Sequence, residues 1–165
     1  MRKRGYMELS FGMIFSIILI VVFLAFAFYV ILKFLNLGDS ATIGNFIDSF
    51  ESDIDKAWKS SQSSQKVSYN LPKKIKLICF VDYSKQKKGP KKDIYQELNQ
   101  GFYGDENMFF YPVGSAEGMD SKLIKHIDIA NITLNENPFC IDNVKGTVLM
   151  TIKKNYEEAS VTITR

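Results

Sequence analysis

The sequence predicts an α+β protein: an N-terminal transmembrane helix, then an amphipathic helix packed on a mostly antiparallel β-sheet ectodomain. Three observations carry this. Residues 9–32 contain no charge. Residues 43–58 repeat apolar side chains with helical period. Residues 147–153 and 160–164 alternate, as half-buried strands do.

The uncharged run LSFGMIFSIILIVVFLAFAFYVIL is 24 residues long. As a helix it spans about 36 Å, enough for a hydrocarbon core of about 30 Å with some tilt. A helix is required because backbone groups in lipid must be satisfied within the segment. Ala25-Phe26-Ala27 matches a secretory cleavage site, but the apolar run continues to Leu32. It exceeds an h-region of about 7–15 residues and reads as a retained anchor. Gly12 and Ser16, four apart on one helix face, permit close approach of another helix.

Charge sets the orientation. Of 21 basic and 18 acidic side chains, Arg2, Lys3, Arg4, Lys33 and Glu8 lie in residues 1–38, and the 17 of each sign beyond them cancel. The basic character therefore belongs to the membrane end and gives no reason to expect a specific nucleic-acid interface. The positive-inside rule places residues 1–8 in the cytoplasm as a basic leader, 9–35 in the cell membrane, and the rest outside in a single-pass topology.

Gly38 suits a helix end and Asp39 or Ser40 a new start, so a break is expected between the two helices. The second helix, over 39–60, presents Ile43, Phe46, Ile47, Phe50, Ile54, Ala57 and Trp58 on one stripe. Ser60–Gln65 reads as a loop. The β-rich domain, 61–165, follows. Val67–Leu71 and Ile75–Tyr83 read as strands, Asp93–Gln100 as a short helix, and Met108–Val113 as a strand ending at an edge by Pro112. Ile124–Leu134 fits helix and strand equally. Val148, Met150, Ile152, Val161 and Ile163 are expected to face the core, joined by a turn near 155–159.

Catalytic chemistry is not expected. His126 is the one histidine and has no partner at metal spacing. Asp48, Glu51, Asp53 and Asp55 form the solvated face of a helix and do not fit an EF-hand loop. Gly101-Phe-Tyr-Gly104 lacks the strand-then-helix setting of a phosphate loop, and no nucleophile motif is present. No cofactor or metal is expected. Three features remain. Cys79 and Cys140 are the only cysteines, and they read either as a disulfide permitted outside the cytoplasm or as two buried thiols. Asn131-Ile132-Thr133 is a glycosylation sequon. Lys85, Lys87, Lys88, Lys91 and Lys92 form either a solvated basic loop or a patch for an anionic surface.

The opening Arg2-Lys3-Arg4-Gly5-Tyr6-Met7-Glu8-Leu9-Ser10-Phe11-Gly12 resembles the class III signal of archaeal type IV pilin-like proteins. The resemblance covers about the first 35 residues. It implies cleavage after Gly5, a mature chain starting at Tyr6, and a retained helix that assembles with identical or related subunits. It also implies that Glu8 pairs with the new α-amino group of a neighbour, since a carboxylate at the membrane edge is costly unpaired. The family usually begins its mature chain with glutamine and places its glutamate fifth. Here those places hold Tyr6 and Ser10, with Glu8 third. The alternative is an uncleaved signal anchor carrying an envelope-binding or adhesion module.

Overall fold

A computed structural model describes residues 11–165 in two compact units that divide between Leu37 and Gly38. Gly5, Tyr6 and Glu8 lie outside the described residues. Helix α1 is Phe11–Lys59. Its residues 11–34 are exposed on every side, and among the described residues this is one helix long and apolar enough to cross a membrane. The Ser16 hydroxyl donates to the Gly12 carbonyl at 2.8 Å, and Lys33 lies over the Tyr29 ring at 5.8 Å.

The expected break at 36–40 is absent, because these residues are helical. Glycine inside a helix costs about 1 kcal/mol, which local contacts easily offset. Thr42 Oγ1 donates back to the Gly38 carbonyl at 2.9 Å, and Asp39 caps no new helix but pairs with Lys74 at 2.7 Å.

In the Gly38–Arg165 unit, Ile43, Phe46, Ile47, Phe50, Ile54 and Ala57 are buried against the sheet, while Trp58 sits at the margin of the stripe. The Tyr69 hydroxyl donates to Asp53 at 2.8 Å, and burial, then that carboxylate, raises its pKa. The strands are β1 (Ser63–Asn70), β2 (Leu77–Phe80), β3 (Met108–Tyr111), β4 (Ser121–Lys122), β5 (Phe139–Val144), β6 (Thr147–Lys154) and β7 (Thr162–Thr164). Their order is β1-β6-β5-β2-β3-β4, with β7 also on β6, and every strand pairing is antiparallel. The alternation in β6 places Val148, Met150 and Ile152 inward, with Val161 and Ile163 buried beside them.

Strand β1 starts at Ser63, inside the expected loop, because backbone pairing with β6 begins at Ser63–Lys154 whatever the side chains. The short helix near 93–100 is α2 (Tyr95–Leu98) flanked by 3-10 turns. Within 124–134 the chain makes one parallel bridge, Ile127 to Val161, and a single turn, α3 (Ile129–Ile132), capped by Asp128, which accepts from the Asn131 amide at 3.0 Å. Strand β5 was not legible as a strand.

Two apolar layers result. The inner one joins α1 to the sheet. The outer one is Leu77, Cys79, Val81, Leu98, Phe109 and Cys140, packed under Tyr83, Tyr95 and Phe102. The 81–104 segment therefore covers the outer face of the β2–β3–β5 half of the sheet.

Candidate functional site

Cys79 and Cys140 are register partners on β2 and β5 and form a disulfide. Both are buried in the outer layer. Strand pairing brings them together across a sequence separation of 61 residues, so of the two expected states the bonded one is present. Over the bond lies an aromatic group: Tyr83 stands 4.4 Å from Phe102, 5.0 Å from Tyr95 and 5.6 Å from Phe109, ring centre to ring centre. Burial raises the Tyr83 pKa, with a smaller push from Tyr95.

The basic loop follows directly. Its base is clasped by Asn137, which is fully buried. Asn137 Oδ1 accepts from the Asp82 amide at 3.1 Å, and Nδ2 donates to the Asp82 carbonyl at 2.8 Å. The Asn137 backbone exchanges two bonds with Lys88, at 2.9 and 3.0 Å. Pattern reading passes over such a residue, since an isolated asparagine before proline signals only a turn. Gly89, at φ +88°, packs so closely that a Cβ there would sit 3.0 Å from Glu136 Cγ.

The loop lysines divide into two groups. Lys85 pairs with Asp82 at 3.5 Å and reaches the Ala130 carbonyl, and Lys88 donates to the Leu134 carbonyl. These two hold the loop on the α3 segment. Lys87, Lys91 and Lys92 make no ion pair among the described residues and leave a smaller cationic surface than five lysines imply. Burial opposes ionisation of Asp82, but the Ser84 hydroxyl and amide and Lys85 outweigh it and hold its carboxyl below its usual range. A carboxyl depressed on folding stabilises above its unfolded pKa of about 4, and that stability is lost as pH falls through the folded value. Asp82→Asn should therefore unfold with a weaker pH dependence than the parent below pH about 4, measured by acid titration of circular dichroism. Identical acid profiles would contradict this.

Asn131 is exposed in α3, whereas Thr133 is fully buried and its hydroxyl donates to the Ile129 carbonyl at 2.7 Å. The asparagine is presented, but the hydroxyl of the sequon is engaged in the folded chain. His126, at φ +64°, stacks on Trp58 with ring centres 3.7 Å apart and lies 3.9 Å from Asp55. Trp58 Nε1 donates to the Ala159 carbonyl at 3.1 Å, so this pair fastens the end of α1 to the turn before β7. Among the described residues no group of three or more His, Cys, Asp or Glu side chains is placed to hold a metal ion.

No family model matches the chain, and neither the curated proteins nor the solved structures include a significant match.

Proposed function

We propose that this chain is a non-enzymatic, single-pass membrane protein that serves as a pilin-like subunit of a surface filament, with its N-terminus cytoplasmic and residues 38–165 outside the cell. The observation that carries the reading is α1. One helix is apolar on all sides over 11–34 and amphipathic over 43–57, where its stripe covers a sheet. A lipid-embedded helix that continues into the scaffold of a folded domain suits a subunit that leaves the bilayer and packs helix against helix. The disulfide supports an oxidising exterior. Shearing of intact cells tests the reading. The expected result is release of the protein in sedimentable filaments; retention of the whole population in the membrane would contradict it.

The unpaired lysines favour a second reading, an adhesion module on an uncleaved anchor. If that surface binds anions, replacing Lys87, Lys91 and Lys92 with glutamine should weaken adhesion to anionic vesicles and lower the salt slope by about one unit per lost contact. An unchanged salt slope would remove this reading.

A further inference from the structure

The outer face of the sheet is covered over only part of its width. The 81–104 segment and the disulfide layer lie on β2, β3 and β5. Strands β1 and β6 have no such cover, and at the β7 end residues such as Asn135 and Glu136 flank Lys153, Thr162 and Thr164 around a shallow pocket. Because paired residues of an antiparallel ladder project to the same side, the register defines the bare surface in rows. Asn70 stands beside Thr147, Ser68 beside Leu149, Lys66 beside Thr151 and Thr164, and Ser64 beside Lys153 and Thr162. None of these outward positions is acidic. Leu149, near the middle, is 64% exposed. Lys66 and Lys153 make no close ion pair among the described residues, although Lys153 lies near enough to Glu158 to help Asn155 hold that carboxyl low.

We propose that this face is the contact surface for a second copy of the chain, which lays the outer side of its own α1, around Asp48, Ser52 and Asp55, across Lys66, Leu149 and Lys153. The proposal rests on the tethered-subunit reading, since copies held in one bilayer meet at high effective concentration. Charge selects the partner. Asp48 and Asp55 are exposed on the helix side opposite the buried stripe, and Lys56 and Lys59 close the C-terminal end of that side; Asp48 has no ion pair among the described residues and Asp55 only His126 at 3.9 Å. Shape agrees with charge. Gly44 and Ser52 keep that side of the helix low, and a Cβ at Gly44 would meet nothing within 4 Å. Two lysines around an exposed leucine suit a mixed protein contact better than a polyanion, which draws on many cations at once.

The consequence for assembly is geometric. The exposed side of α1, with Asp48 and Asp55, and the outer sheet face, with Lys66 and Lys153, lie on opposite sides of the same helix-on-sheet unit. Their pairing is therefore heterologous: each copy offers one face and receives the other. Such a contact propagates from copy to copy unless the rotation closes a ring. Each sheet half that lacks a cover of its own gains a helix from the next chain.

The test uses the full-length protein in its own membranes, with the photoreactive benzoylphenylalanine replacing Leu149. Irradiation should give a dimer-sized adduct whose cross-linked peptide maps to residues 41–56 of a second copy. Lys66→Glu with Lys153→Glu should reduce the adduct about tenfold, and adding Asp48→Lys with Asp55→Lys should restore it to within about threefold. An adduct mapping elsewhere, an adduct with a different protein, no adduct, or failure of the restored charges to rescue it would overturn the proposal. The wild-type map decides the matter even if a charge variant misfolds, which retention of the Cys79–Cys140 bond on alkylation would report. Failure of the tether is read separately, as release of the protein by a carbonate wash.

Discussion

Phe50→Ala should destabilise the Gly38–Arg165 unit by about 3–5 kcal/mol, a large share of the total stability of a domain this size. Phe50 is fully buried where α1 crosses the sheet. Its ring meets Phe46 at 5.7 Å, Tyr69 at 5.9 Å and Phe80 at 6.0 Å, so one side chain ties the helix to both β1 and β2. Truncation removes the transfer free energy of the ring and leaves a cavity, which the neighbouring aromatic rings are too rigid to fill. Asp48→Ala, two residues away on the solvent side, should change stability by less than about 0.5 kcal/mol. Urea unfolding of the full-length chain in detergent, followed through Trp58, measures both. Equal midpoints for the two variants would mean that α1 does not pack on the sheet as described.

Loss of the disulfide should be nearly as costly. Cys79→Ala with Cys140→Ala frees a loop whose ends are 61 residues apart. In the chain-entropy model that closure is worth about 4 kcal/mol, and the two buried sulfurs leave further unfilled volume in the outer layer. The urea midpoint should fall accordingly, and reductant should lower the midpoint of the parent chain while leaving the variant unmoved. Alkylation of the unfolded parent without reductant should add no mass. Two alkylated cysteines, or a variant as stable as the parent, would contradict the bond.

What pattern reading recovered and what it missed follow from how each element is stabilised. The stripe from Ile43 to Ala57 and the alternation in β6 record burial on one face, which side-chain identity encodes directly. The bonded cysteines were visible as one of two alternatives; the pairing of β2 with β5 decides between them, and a pairing is not written in either strand alone. Strand β5 carries little strand signal because Phe139-Cys-Ile-Asp-Asn-Val144 has only three apolar residues before polar ones, with Pro138 in front. Its place comes from its neighbours, since β2 pairs with its first half and β6 with its end. Residues 63–65 of β1 are serine and glutamine held by backbone pairing, which leaves no apolar signal. Helix continuity through Gly38 reflects contacts to Lys74 and the buried Ile43, both invisible to a local rule about glycine. The lysine loop was legible as charge, but its division into clasping and unpaired lysines depends on Asn137 and α3, far away in sequence.

The mature N-terminus tests the central claim most directly. Intact-mass and N-terminal peptide analysis of the protein isolated from its native membranes should find a chain beginning at Tyr6, with the 11–34 helix retained, as a subunit freed to assemble requires. A chain that still carries Met1 through Gly5 would contradict the filament-subunit account and leave a permanent tether.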